Sequence, residues 1–220
     1  MINHIHFLSL NVQGLRDRLK RSRLKEYIET QNAHIVYLQE THFTNDITVK
    51  WLLQEFSEWS FFHSFGTSNS RGCSILIHSS VKFDVIDIHS DTVGRYILLN
   101  ITIDNNTYTL LNIYAYNDAC SRNNFFQKTS KLLTENAQGL IICGGDMNDI
   151  LNSSDRYNSN HTKCFKPGKG LQQLTKSHKL VDVWTKIMHL SIFCPPGGGG
   201  RRADPGEFDI LKYLESKSPP

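Results

Sequence analysis

The chain has 220 residues, enough for one medium domain with its own core, and its 39% hydrophobic and 20% charged residues describe an ordinary globular protein. A net charge of +3 permits a nucleic-acid partner without requiring one. No stretch approaches the roughly 18 apolar residues that cross a membrane, and Met1-Ile2-Asn3-His4 has no signal-peptide design. The five cysteines, odd in number and with no C-x-x-C pair, argue against a disulfide framework or a zinc site. Free thiols in a reducing compartment, nuclear or cytoplasmic, are the expectation.

In chain order, residues 5–11 place apolar side chains on both faces, as a strand buried between layers does. Residues 16–31 follow as an amphipathic helix with Leu24, Tyr27 and Ile28 inward. Its outer face carries Arg16, Arg18, Lys20, Arg21, Arg23 and Lys25, a pattern open to two readings: a solvated helix face or a DNA grip. Residues 34–40 form a second buried strand that ends on Glu40, and 50–56 a short helix with Trp51, Leu52 and Phe56 inward. Strands are predicted over 74–77, 82–89, 96–103 and 108–114, with Asp104-Asn105-Asn106 as a tight hairpin turn. Residues 123–137 read as a helix with Phe125, Phe126, Leu132 and Leu133 as core positions. A strand over 140–143, a polar loop to Gly168, a helix over 170–179 and the apolar segment 180–184 complete the pattern. Mixed strands and helices with several hairpins predict an α+β fold of two packed sheets flanked by helices.

The last 26 residues differ in kind. Pro195-Pro196 and Gly197 to Gly200 suit a flexible linker, and 208–214 suits one or two isolated helical turns. The expected organisation is therefore a domain over 1–194 and an unrelated, disordered tail over 195–220 that does not pack on it.

Chemistry-bearing residues collect at strand ends. Gly145-Asp146-Met147-Asn148 directly follows the apolar run Leu140-Ile141-Ile142-Cys143. An Asp there can orient and deprotonate a water, and an Asn two residues on shares the same side of an extended chain and can hold a phosphate oxygen. Taken alone, such a cluster is also an ordinary turn. Three further strand ends carry similar polar groups: Ser9-Leu10-Asn11-Val12-Gln13-Gly14-Leu15, Leu38-Gln39-Glu40-Thr41-His42 and Leu111-Asn112-Ile113-Tyr114-Ala115-Tyr116-Asn117. Each has a plainer reading beside the functional one. Glu40 can be a solvated charge, Asn11 a helix cap, and Tyr114 a core residue with a bonded hydroxyl.

The ordered set of four motifs resembles the endonuclease/exonuclease/phosphatase superfamily. The resemblance is nearest to the apurinic-type endonuclease domain of LINE-type non-LTR retrotransposons, related to exodeoxyribonuclease III and DNase I. It spans residues 4 to about 194. It implies a four-layer α/β/β/α sandwich, DNase I-like, left incomplete at its C-terminal strands. It also implies Mg²⁺-dependent, or Mn²⁺-dependent, hydrolysis of a phosphodiester in double-stranded DNA by a monomer without membrane contact. By resemblance Glu40 is the principal metal ligand with Asn11 beside it, Asp146 orients the attacking water, and Asn148 contacts the phosphate. Tyr114 and Asn117 resemble phosphate-side residues, and Asp155-Arg156 resembles an Asp-Arg pair that brings Arg156 towards DNA. Tyr116 stands where most relatives have proline, and Met147 where Phe is commoner. An Asp within Ile-Asp-Tyr/His and a terminal Ser-Asp-His, both part of the family pattern, are not found in the sequence, so weak or no activity is expected. Other readings are a cellular apurinic/apyrimidinic repair nuclease, a lipid phosphatase, and a non-catalytic binding remnant.

Overall fold

The computed structural model describes residues 4–151 and 167–183, together with the backbone of two short strands at 209–210 and 213–216. Its elements run β1 (Phe7–Asn11), α1 (Arg18–Thr30), β2 (Ile35–Gln39), α2 (Asp46–Glu55), β3 (Trp59–Ser64) and β4 (Cys73–His78). Then come β5 (Asp84–Ser90), β6 (Tyr96–Ile103), β7 (Asn106–Tyr114), α3 (Ala119–Asn136), β8 (Leu140–Asp146), α4 (Lys169–Ser177) and β9 (Leu180–Asp182). The chain closes with β10 (Asp209–Ile210) and β11 (Tyr213–Ser216).

The strands make two sheets, ordered β10-β1-β2-β4-β3 and β5-β6-β7-β8-β11-β9. Period-2 alternation explains how they stack. On β2, Val36 and Leu38 join α1 and α2 in one apolar cluster, while Ile35 and Tyr37 point the other way. The second set meets Ile97, Leu99, Ile101 and Leu110 of the facing sheet. That sheet's outer face, with Leu98, Leu111, Ile113 and Cys143, packs on Phe125, Phe126, Leu133, Leu171 and Leu174 of α3 and α4. Helices, sheet, sheet and helices thus form the four-layer α/β/β/α sandwich, and strands buried on both faces have no polar side to show.

Several expectations change. The strand β3 is not among those expected from the sequence. Trp51, expected inward, is 50% exposed, because α2 begins at Asp46 and its buried positions are Val49 and Leu52. The larger correction is at the C-terminal end. Residues 208–214, expected to be helical, contain strand backbone: β10 pairs antiparallel with β1, and β11 is inserted between β8 and β9. These six residues give strand backbone to both sheets. Ladder hydrogen bonds to an existing sheet edge can stabilise a strand that its own sequence barely specifies.

Candidate active site

β1 and β2 run parallel with Asn11 opposite Gln39, and β7 and β8 run parallel with Tyr114 opposite Asp146. Parallel neighbours end at the same edge, so Asn11, Glu40, Tyr114 and Asp146 are delivered to one end of the sandwich, two from each sheet. The Asn11 carboxamide joins them: Nδ2 donates to Glu40 Oε1 at 3.0 Å and to Asp146 Oδ2 at 3.1 Å. Its own Oδ1 accepts from the Gln13 amide at 3.2 Å, which fixes the side chain from behind. The Tyr114 phenol lies in the field of Glu40 and Asp146. Burial, then Glu40 and Asp146, push that phenol's pKa up, with Arg95 opposing, so Tyr114 stays a neutral donor at physiological pH.

The backbone around Glu40 is held in an unusual shape. Glu40 and His42 have φ of +55° and +59°, a left-handed region that non-glycine residues seldom enter. Surrounding bonds impose it: Gly14 donates to the Glu40 carbonyl at 2.6 Å, Thr41 to Gly72 at 3.1 Å, and His42 to Arg71 at 3.0 Å. Gly14 is required here, since its φ is +89° and an added Cβ would lie 2.8 Å from His42 Nδ1. Beneath this loop Gln39 and Asn112 tie the two sheets together, Gln39 Nε2 donating to Asn112 Oδ1 at 2.6 Å. Asn112 Nδ2 in turn donates to the carbonyls of Leu38 and Ser74. His42 packs 3.6 Å from Glu40 Oε2, beyond hydrogen-bond range, and burial lowers its pKa. It is a neutral neighbour of the carboxylate.

Asn148 is placed beside Asp146: its backbone N–H donates to Asp146 Oδ1 at 3.0 Å, and its Nδ2 to the Ala115 carbonyl at 2.9 Å. Asn117 stands exposed in the loop after β7 and offers its carbonyl, not its side chain, to Arg122. Arg156 lies outside the described residues. His178 caps α4 against Ser130 and is no part of this cluster.

Two residues at the site, Arg95 and Arg122, are not evident from the sequence, and a third, Tyr116, shows there only as a departure. Arg95 lies over the rings of Tyr114 and Tyr116, 5.0 and 3.7 Å from their centroids, and donates to the carbonyls of Tyr114 and Ala115. Tyr116 thereby holds its loop by a cation–π stack. Arg122 pairs with Asp149 at 3.2 Å and donates to the carbonyls of Tyr116 and Asn117. The only sequence signal for any of these is the departure at Tyr116.

Among the described residues no group of three or more His, Cys, Asp or Glu could by itself cage a metal ion. Two carboxylates gathered on one carboxamide are, however, a donor set that Mg²⁺ accepts, since it keeps several waters and takes one or two protein carboxylates. The residues fit the ion.

Among known proteins, the chain is 29% identical over 179 residues to the transposon TX1 uncharacterized 149 kDa protein of Xenopus laevis. The match covers 80% of this chain and 13% of that protein's length. The fold is similar to that of the AP endonuclease LMAP from Leishmania major, with a TM-score of 0.72, 18% identity, and coverage of 96% of this chain and 79% of that one. It is also similar to D. rerio TDP2 complexed with single strand DNA product, with a TM-score of 0.65, 14% identity, and coverage of 98% and 86%. The sequence profile that matches residues 8–204 extends past Cys194 and completes the assignment: the chain belongs to the Endonuclease/Exonuclease/phosphatase family.

Proposed function

We propose that this domain hydrolyses a phosphodiester in double-stranded DNA with Mg²⁺, or Mn²⁺ in its place, as the nicking endonuclease of a retrotransposon. The observation that carries the reading is the Asn11 carboxamide bound at once to Glu40 and Asp146 at the seam of the two sheets. Glu40 would hold the cation with Asn11 beside it fixing that carboxylate, and the ion would supply positive charge against the scissile phosphate. Asp146, which accepts from Asn11 on one oxygen and from the Asn148 amide on the other, is placed to align the attacking water. Asn148 and the neutral Tyr114 hydroxyl donate to phosphate oxygens as charge develops there, and Asn117 and Arg156 meet the DNA backbone. Similarity to a transposon protein favours the retrotransposon reading over a cellular repair nuclease. The domain acts as a monomer inside the cell, nuclear or cytoplasmic, and among the described residues no helix is long and apolar enough to cross a membrane.

Nicking of supercoiled plasmid in Mg²⁺ tests this. The 220 residues contain no Ser-Asp-His, so slow turnover is expected of them alone. Asp146→Asn should slow it a further ~10²–10⁴-fold, the usual worth of a positioned acid or base, while the circular dichroism spectrum is kept. Equal rates in the two proteins would show a binding remnant instead. Faster cleavage of abasic than of intact duplex would select the repair reading.

A further inference from the structure

Beside the catalytic cluster, the start of α1 and the outer face of α2 enclose a groove of about 530 Å³, lined by Arg16, Arg18, Arg21, Trp51, Gln54 and Glu55. Its three guanidinium groups are not equivalent. Arg21 is 5% exposed and fully engaged: Nε and Nη2 donate to the two Glu55 oxygens at 2.7 and 3.0 Å, and Nη1 to the carbonyls of Leu15 and Arg16. Its charge is cancelled, and its role is to build the floor. Arg16 and Arg18 are exposed and make no ion pair among the described residues.

Trp51 forms the wall. One end of α2 is fixed by a capping box at Asn45, and the Arg21 guanidinium lies 5.7 Å from the indole centroid, so the ring is held in place although half its surface faces solvent. An ordered, exposed indole beside two uncompensated cations suits a ligand that alternates anionic groups with apolar rings. A sugar–phosphate chain has that alternation; an acidic peptide offers charge without the rings. The groove starts next to the catalytic cluster, because the residues just before Arg16 are bonded to the Glu40 loop: the Gly14 amide donates to the Glu40 carbonyl at 2.6 Å and the Leu15 amide to the Thr41 carbonyl at 3.1 Å.

We infer that the α1–α2 groove tracks the DNA backbone flanking the scissile bond, with Arg16 and Arg18 on successive phosphates and Trp51 against a deoxyribose. The inference rests on the DNA reading above and adds to it a direction for the bound strand. The face of α1 that the sequence left open between solvation and DNA grip is then divided: its first turn grips, and the turns beyond Arg21 are solvated.

The test uses the 220-residue chain, a fluorescein-labelled duplex and anisotropy over a range of salt concentrations. Each phosphate contact contributes about 0.9 to the slope of log Kobs against log salt. The Arg16→Gln/Arg18→Gln protein should therefore lose about 1.8 from that slope and bind more weakly at every salt concentration. Trp51→Leu should weaken binding with the slope kept, since it removes a packing surface and no charge. Lys128→Gln on the exposed side of α3 should match the parent. If the parent binds duplex and the double variant has its slope and affinity, the groove is not the track and the nuclease reading survives. A parent that binds no duplex at low salt ends both. Poly-glutamate competing as well as DNA for the Arg16/Arg18 surface would also overturn the assignment.

Discussion

His63 shows how one side chain carries a pH dependence that has nothing to do with the reaction. It lies on β3 stacked between Phe61 and Phe65, ring centroids 5.9 and 5.8 Å away with 16° between planes in each pair. Nδ1 is 2.8 Å from Ser74 Oγ, and Nε2 is buried with no hydrogen-bond partner. Burial drives its pKa from 6.5 down to about 4, against a weaker upward pull from Asp46. The unfolded chain therefore takes up a proton near pH 6.5 that the folded protein refuses until about pH 4. This contribution to stability is complete above pH 6.5 and disappears as pH falls through 4. Over that window it amounts to at most about 3 kcal/mol, since a tenfold change in proton affinity is worth roughly 1.4 kcal/mol. His63→Phe keeps the stack and should flatten the loss. His34, His42 and His178, also lowered by burial, slope the same way, so the comparison must be made between the two proteins. Urea unfolding at pH 7 and at pH 4.5 makes it; identical pH dependence would mean that His63 is not buried as a neutral ring.

Between elements, the Arg21–Glu55 pair straps α1 to the end of α2 and so sets the width of the groove between them. Breaking a buried pair leaves one charge without compensation, which costs about 3–5 kcal/mol when both partners are fully buried. Glu55 is 28% exposed in its side chain, so Glu55→Ala belongs near the low end, about 3 kcal/mol. The double replacement Arg21→Met/Glu55→Leu removes both charges and should recover most of that loss, as chemical denaturation would record. A double variant no more stable than the single one would show that packing, not the ion pair, holds the helices. The pair is not legible in the sequence, because a basic residue on a helix and an acidic one 34 positions later have no local signature. What is legible obeys local rules. Apolar runs at β1, β2 and β8 mark strands, and the 3.6 period marks α1 and most of α3. The start of α2, placed too late by its apolar pattern, does have a signal in the Asn45–Thr48 capping box. Arg95 has none, since its role depends on two rings about twenty positions later, Tyr114 at the end of β7 and Tyr116 in the loop beyond it.

Across the whole molecule, the candidate site exists only where the two sheets meet, and what keeps them in register lies partly in the least legible sequence. Asn11 and Glu40 come from one sheet and Tyr114 and Asp146 from the other; the Gln39–Asn112 bond and the Tyr37 hydroxyl on the Ile142 carbonyl join the two beneath them. The sequence discloses the four strand ends because each carries a polar motif after an apolar run. It does not disclose β10 and β11, which are short, mixed in polarity, and defined by their partners rather than by a period. Yet β10 sets Asp209 opposite Asn11, and β11 sets Tyr213, Leu214 and Glu215 opposite Gly144, Cys143 and Ile142. Two of the four site-bearing strands, β1 and β8, thus have a neighbour on each side. Removal of residues 209–220 should turn β1 and β8 into sheet edges and leave β9 without a strand partner among the described residues. The amides of β8 that now face β11 would then exchange through local opening rather than global unfolding. Hydrogen exchange should consequently quicken along β8 and β9 in the shortened chain, while β6 and the β2–β4 ladder keep their protection. Unchanged exchange along β8 would mean that β11 does not hold its place in the sheet in solution.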